Sequence, residues 1–564
     1  MKRIAITVTL LAIFGQMSVS GARKPFSVVE ASISEMRTAL VKKQTTSVEI
    51  VTQYLTRIAT YDSRLHAVLA VNPDALKEAA ERDRERRAGH LRGPLHGIPV
   101  AVKDNVHTTN MPTTGGALVF AGFTPGYEAT LVTNLKAAGA IIIAKTGMTE
   151  LANFMAGAPT PMPTNYNAVG GFGFNPYDPR RDPRETSDGR PVLATGGSSS
   201  GVGTAASFWA GNVGTETNGS ILSPSNQNML AGIKPTVGRV SRYGVIPISA
   251  DQDTPGPMAK FVTDAAIMFG ALEGRSPDPN DPATQRCTPP AKNDYTVFLK
   301  ADALKGARIG IPRSIFYDRA QLPGQATPSG GLSPEAAVVM ADAIEVLRSK
   351  GAIIVDPADI PSIVDPDPKN NPAVWQACSS AEDTAKDNAC SISTNYGMKR
   401  DFNLWLATLG PAAPVKSLTE LREWNVAHRN AGSMRYGQAR LDLSDQIDLD
   451  RDRARYEQDR ARETQLNAAH GIDEAMKAHQ LDAILFPGGS GAGVGARPGY
   501  PTVIVPFGTI PNNGGAPFPA GFETKPAPFG VSFTGTACSE PRLLALAYAF
   551  EQATKRRTPP PNLP

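Results

Sequence analysis

At 564 residues and 59.7 kDa, with 41% hydrophobic and 20% charged residues, the chain can bury a large core, which excludes low-complexity disorder as its overall state. A formal charge of +4, falling to +2 once Lys2 and Arg3 leave with the leader described next, excludes the basic surface of a nucleic-acid binder or a polybasic membrane-surface protein. The 52 glycines and 48 prolines point to many long, shaped loops.

Residues 1–22 read as an export signal: Lys2 and Arg3 open it, Ile4 to Phe14 form an apolar run, and Gln16 to Ala22 supply small residues for cleavage after Ser20 or Ala22. The run is shorter than the ~20 apolar residues that span a bilayer, so a cleaved signal is expected rather than an anchor. No other stretch is long and apolar enough to span. An exported protein, periplasmic or secreted, with a single domain over 26–555 and a basic, Pro-rich disordered tail at 556–564 follows from this reading.

Thr46-Ser47-Val48-Glu49 reads as a capping box, and Val51, Tyr54, Leu55 and Ile58 continue it as an amphipathic helix to about Tyr61. Residues 75–90 mix charges with alanines and read as a solvated helix face. Ile98 to Val102 is a buried strand whose end carries Lys103. A helix from Ala129 to Ala138 stops at Gly139, and Ala140 to Ala144 forms another apolar strand. Strand, helix, strand with both strands apolar throughout argues for an α/β fold, a parallel sheet covered by helices on both faces. Residues 156–195 are an aperiodic loop rich in Gly, Pro, Asn and Asp, a length that usually has a function. Residues 357–400 are a second polar insertion, and 432–479 are helical and heavily charged. Leu481 to Pro487 and Thr502 to Pro506 are further strands, and Leu543 to Thr554 a final helix.

The cysteines are Cys287, Cys378, Cys390 and Cys538, with no CxxC pair and no His at ligand spacing, so no metal is expected. In an oxidising compartment Cys378 and Cys390 could close a small disulfide loop; the alternative is four independent thiols.

The glycine-rich string Gly196 to Gly203 admits three readings. Gly201 to Ala206 fits a dinucleotide GxGxxA pattern, but no apolar strand precedes it. Gly197-Ser198-Ser199-Ser200-Gly201 fits the GxSxG elbow of a Ser-His-Asp esterase or lipase using Ser199, for which His428, His470 or His479 would have to serve. A structural Gly/Ser loop is the third. Downstream stand Gly214-Thr215-Glu216-Thr217-Asn218-Gly219-Ser220-Ile221, Gly232 to Gly238 and Gln252 to Met258; upstream stand Gly93 to Pro99 and Val102-Lys103-Asp104-Asn105.

In this order these strings resemble the amidase signature family, most of all its peptide-amidase-like branch. The resemblance is dense over about 45–270, with the signature core at 93–260. It returns at Gly499-Tyr500-Pro501, at Phe529 to Phe533 and at Tyr548 to Thr554, and is loose over the variable region 275–480. It implies the amidase-signature fold, a mixed, mainly parallel central sheet, and a Ser-Ser-Lys triad of Ser220, Ser198 and Lys103. It also implies an oxyanion hole at Thr217, Asn218 and Gly219, an acyl-enzyme, and no cofactor. The chemistry agrees: a serine needs a base within reach, and a lysine serves only when neutral, which burial at the end of an apolar strand favours. Met155 is expected to line the substrate pocket with the 156–195 loop and the 357–430 insertion. The implied substrate is a small-molecule or peptide amide, and the protein a monomer or homodimer. A non-catalytic binding protein on the same scaffold is the other alternative. The glutamine-dependent transamidation subunit of the same family is cytosolic, which an export signal contradicts. Two departures stand out: Ser198 to Ser220 is about two residues shorter than the family spacing, and Asn218 stands where Gly or Asp is usual. Ser198 is assigned the relay among its three neighbouring serines because it directly follows the glycine pair.

Overall fold

The computed structural model of the chain describes residues 25–184, 187–197, 200–380, 389–561 and 563. The expected leader, Ser198, Ser199 and the side chain of Ser200 lie outside the described residues. The strands are β1 (Val68–Val71), β2 (Pro99–Lys103), β3 (Ile141–Thr146), β4 (Tyr166–Asn167), β5 (Gly171–Phe172), β6 (Gly211–Glu216), β7 (Ala231–Lys234), β8 (Thr254–Ala259), β9 (Arg308–Gly310), β10 (Ile353–Val355), β11 (Ala483–Pro487), β12 (Thr502–Ile510) and β13 (Ala527–Thr534). Eleven of them form one sheet, ordered β1-β3-β2-β6-β8-β7-β12-β13-β11-β9-β10, and β4 and β5 make a small hairpin in the long loop after β3.

The sheet is mixed and packed with helices, the fold class the sequence indicated. β3, β2 and β6 run parallel to one another, as do β11, β9 and β10, and the strands between β6 and β11 pair antiparallel. Every residue of β2 and β3 is buried, which is why both read as unbroken apolar runs. One continuous core gathers Val100, Val102, Ile142, Val213, Ile233, Leu485, Val503 and Phe533 with the apolar faces of the surrounding helices.

The capping box at Thr46 and Glu49 is formed in both directions, and its helix runs over Ser47–Leu65, four residues past the expected end. The helix Ala75–Arg87 is more than a solvated face. Its buried Asp83 accepts from the N–H groups of Ser47 (2.8 Å) and Val48 (3.1 Å), satisfying donors that a helix start leaves open. The chain end also departs from expectation. Arg57 Nη2 donates to Leu563 O at 3.1 Å, Tyr177 Oη to Thr558 O at 2.6 Å, and Arg557 pairs with Glu30 at 2.9 Å. The described part of the tail is therefore packed rather than disordered, because its carbonyls and its one buried arginine find partners in the body of the fold. The four cysteines form two bridges: Cys378–Cys390, as the sequence allowed, and Cys287–Cys538, which it did not suggest.

Candidate active site

β2 and β6 lie side by side and parallel, with Val102 opposite Val213. Lys103 and the residues after Gly214 therefore emerge together at the carboxyl ends of parallel strands, where open α/β sheets hold ligands. Lys103 is completely buried, and its Nζ donates to Thr215 O at 3.2 Å and Thr215 Oγ1 at 3.1 Å. Asn105 Nδ2 donates to the same Oγ1 at 3.0 Å. Burial pushes the Lys103 ammonium down to about 8, while the charges of Asp253 and Glu216 hold it up. Burial brings Lys145, Lys234 and Lys260 to about 8 as well, so proton affinity alone does not single out Lys103. Its place does: Lys145 pairs with Asp104 at 3.5 Å, Lys234 donates to Tyr500 O, and Lys260 follows Ala259, which pairs with Gly211 at the opposite end of β6, whereas Lys103 sits against the turn that follows β6.

That turn is built by Glu216. Its fully buried carboxylate reaches forward, and one oxygen, Oε2, accepts from the N–H groups of Ile221 (2.7 Å) and Leu222 (3.0 Å). Gly219 adopts φ +84°, in the left-handed region that glycine enters without penalty, and Ser220 follows it, almost buried. Thr217 Oγ1 donates to Asp253 Oδ1 at 2.5 Å, and Gln252 Nε2 to Thr217 O at 3.3 Å. Among the described residues, none of the backbone N–H groups of Thr217, Asn218, Gly219 and Ser220 has an acceptor. Thr217 and Gly219 are half-buried, Asn218 is exposed and Ser220 is buried, so a row of unpaired N–H groups stands open beside a serine, the arrangement that binding an oxyanion needs.

The glycine string closes over this turn. Gly196 has φ +90°, and a Cβ there would lie 2.3 Å from Pro224 N, so only glycine lets the loop rest on the helix Leu222–Gln227. Thr149 Oγ1 donates to Gly197 O and Asn228 Nδ2 to Thr195 O, both at 2.9 Å. A Cβ on Gly197 would stand 3.4 Å from Ser220 Oγ, which sets the chain immediately before Ser198 against Ser220. The helix after it, Ser200–Ala205, has only six residues, and Ser207 turns the chain with φ +54° before β6 begins at Gly211.

Met155 is buried in a second apolar cluster with Phe154, Phe402 and Trp405. A cavity of about 230 Å³ adjoins the turn, lined among others by Asn218, Ser490, Val494 and Trp375. Another of about 210 Å³ is lined by Asn105, Thr215 and Thr217 among others. Met155 borders neither. The three histidines of the esterase reading border neither as well. His428 stacks on Trp424, and His470 is held by Glu474 at 2.7 Å and Asp365 at 3.5 Å. His479 caps the helix Asp473–Ala478. Thr215, Asn105, Glu216 and Asp253 are the site residues that sequence reasoning left without roles, although all four lie inside the strings it singled out.

A wholly buried lysine, a serine beside open N–H groups and a glycine loop set against that serine thus meet at the carboxyl ends of two parallel strands. The chain belongs to the amidase family, whose description, Amidase, matches residues 49–544, and it is a hydrolase of amide C–N bonds. It is 36% identical to the native peptide amidase of Stenotrophomonas maltophilia, with a TM-score of 0.78 over 95% of this chain and 99% of that one. An amidase family protein of Bacillus anthracis is 30% identical with a TM-score of 0.76, covering 94% and 92% of the two chains. A probable amidase of Arabidopsis thaliana is 31% identical over 99% of this chain and 96% of its own.

Proposed function

We propose that the protein is an exported amidase that cleaves carboxamides through an acyl-enzyme, with Ser220 as nucleophile, Ser198 as proton relay and Lys103 as base. The observation that carries this reading is the wholly buried Lys103 bonded to Thr215, five residues before a serine flanked by open N–H groups. Neutral Lys103 takes a proton from Ser198, which takes one from Ser220, and Ser220 Oγ attacks the amide carbon. The oxyanion rests on the N–H groups of Thr217, Asn218, Gly219 and Ser220, each such donor being worth ~3–4 kcal/mol in comparable sites. Ser198 then returns its proton to the leaving amine, and water releases the acid by the same relay. Export is supported by the two disulfides, which leave no free thiol and persist in oxidising compartments. Likeness to a peptide amidase over nearly the whole chain supports carboxamides such as C-terminally amidated peptides as substrates.

Ser220→Ala is expected to abolish hydrolysis of a peptide amide, a loss of ~10⁶-fold for a removed serine nucleophile, and to abolish labelling by a fluorophosphonate. Retained turnover in the purified variant overturns the assignment. Lys103→Met should do the same, while replacing His428, His470 or His479 should not; the reverse pattern would favour the esterase reading.

A further inference from the structure

The helix Ser200–Ala205 begins two positions after Ser198 and has fewer than two turns, too few to hold its shape without neighbours. Its near half is packed closely: a Cβ on Gly201 would lie 3.0 Å from Asn228 Nδ2, and one on Gly203 2.1 Å from Trp209 Cζ2. Its far end is held by hydrogen bonds. Ala206 N donates to Val202 O (2.9 Å), Phe208 N to Gly203 O (2.8 Å) and Ser207 N to Thr204 O (3.2 Å). The next two carbonyls are taken by one side chain. Arg57, buried on the helix Ser47–Leu65, donates Nη2 to Ala206 O and Nε to Ser207 O, both at 2.9 Å. A cation at a helix C-terminus meets both the open carbonyls and the dipole, and a planar guanidinium grips two acceptors in a fixed orientation.

Both terminal segments close on the same turn. Arg57 Nη2 also donates to Leu563 O at 3.1 Å. Ser207 stands at φ +54°, a region serine seldom enters, and Glu30 clasps it there. Glu30 N donates to Ser207 Oγ at 3.2 Å, Ser207 Oγ donates to Glu30 Oε1 at 3.4 Å, and Arg557 Nη2 donates to the same oxygen at 2.9 Å. Residues 30, 557 and 563 therefore converge on the exit of the helix whose entry follows Ser198. A helix fixed at its exit cannot slide along its axis, and a shift of about 1 Å in a reacting group can cost ~100-fold in rate.

We propose that Arg57 is a positioning residue for the proton relay: braced by Glu30 and the tail, it fixes the helix that follows Ser198 and so sets the reach of that serine to Ser220. This role rests on the proposed Ser220, Ser198 and Lys103 relay. It matters most where the relay must return a proton as well as accept one. An amide's amine leaves only when protonated, whereas a p-nitrophenyl ester loses a stable anion that needs no proton. The test measures kcat and KM of the disulfide-intact protein for a peptide amide and for the p-nitrophenyl ester of the same acyl group. Arg57→Met should lower kcat for the amide about tenfold with KM little changed, and lower the amide-to-ester ratio of kcat/KM about fivefold. Arg57→Lys, a cation that reaches one carbonyl at a time, and Glu30→Gln should each lower that ratio about twofold. A mere loss of folded protein lowers both substrates alike and leaves the ratio unmoved. An unchanged ratio in Arg57→Met overturns the proposal; where that variant does not fold, an unchanged ratio in both Arg57→Lys and Glu30→Gln overturns it. Amide turnover surviving Ser220→Ala overturns the parent reading instead and is seen with Arg57 and Glu30 in place.

Discussion

Lys103 is held between two opposed influences, burial that favours the amine and the acidic side chains that favour the ammonium. Asp253 is the stronger of the two carboxyls. It is itself pushed up to about 7 by burial, and it accepts from Thr217 Oγ1 and from the N–H groups of Ile248 and Ser249. Above that pH it is charged and stabilises the protonated lysine. Asp253→Asn removes the charge, so Lys103 loses its proton at lower pH. The rising limb of kcat/KM should then move acidward by ~0.5–1 pH unit. A limb that stays in place or moves alkaline in a pH profile of the variant would show that Asp253 does not act on the base.

At the scale of the element, the turn between β6 and the helix Leu222–Gln227 owes its shape to Glu216 more than to its exposed residues. A carboxylate binds N–H groups about twice as strongly as a neutral acceptor does. Glu216→Gln should therefore loosen Ile221 and Leu222 and blur the positions of the open N–H groups ahead of them. The expected result is a kcat lower by ~10–100-fold with KM little changed, read at alkaline pH where Lys103 is neutral in both proteins. This element also marks what could be read from the residues alone. The string Gly214 to Ile221 showed where the turn lay and which serine it presents, because glycine at 219 answers a backbone need. Glu216 looked like any acid in a polar string. Its role depends on folding back onto N–H groups five and six residues on, which no spacing rule announces.

For the whole molecule, the parallel strands were legible because burial on both faces leaves an unbroken apolar run, as at Val100 to Val102 and Ile141 to Ala144. The central antiparallel strands were less so: β8 reads Thr-Pro-Gly-Pro-Met-Ala, a poor strand by propensity that is wholly buried between β6 and β7. Contacts between distant segments escaped altogether. Trp375 and Asn218 line one cavity from more than a hundred residues apart, the tail packs on Tyr177 and Arg57, and Cys287 reaches Cys538 across 251 positions. That last bridge ties the segment after the helix Val262–Glu273 to the start of the helix Glu540–Thr554. Closing so long a loop constrains the unfolded chain by up to ~5 kcal/mol. Paired Cys287→Ser and Cys538→Ser changes should lower the Tm by several degrees in calorimetry, with kcat on a peptide amide nearly unchanged, since neither cysteine touches the site.

The proposed mechanism turns on one group, the amine of Lys103 as the base that takes the proton of Ser220 through Ser198. The pH dependence of kcat/KM for a neutral peptide amide reads it directly. The rate should climb with pH through a single ionisation near 8 and level off above it, as burial of the ammonium requires. A profile flat from about pH 6 to 10, or a limb near the ~6.5 of an ordinary histidine that vanishes when His428, His470 or His479 is replaced, would contradict it.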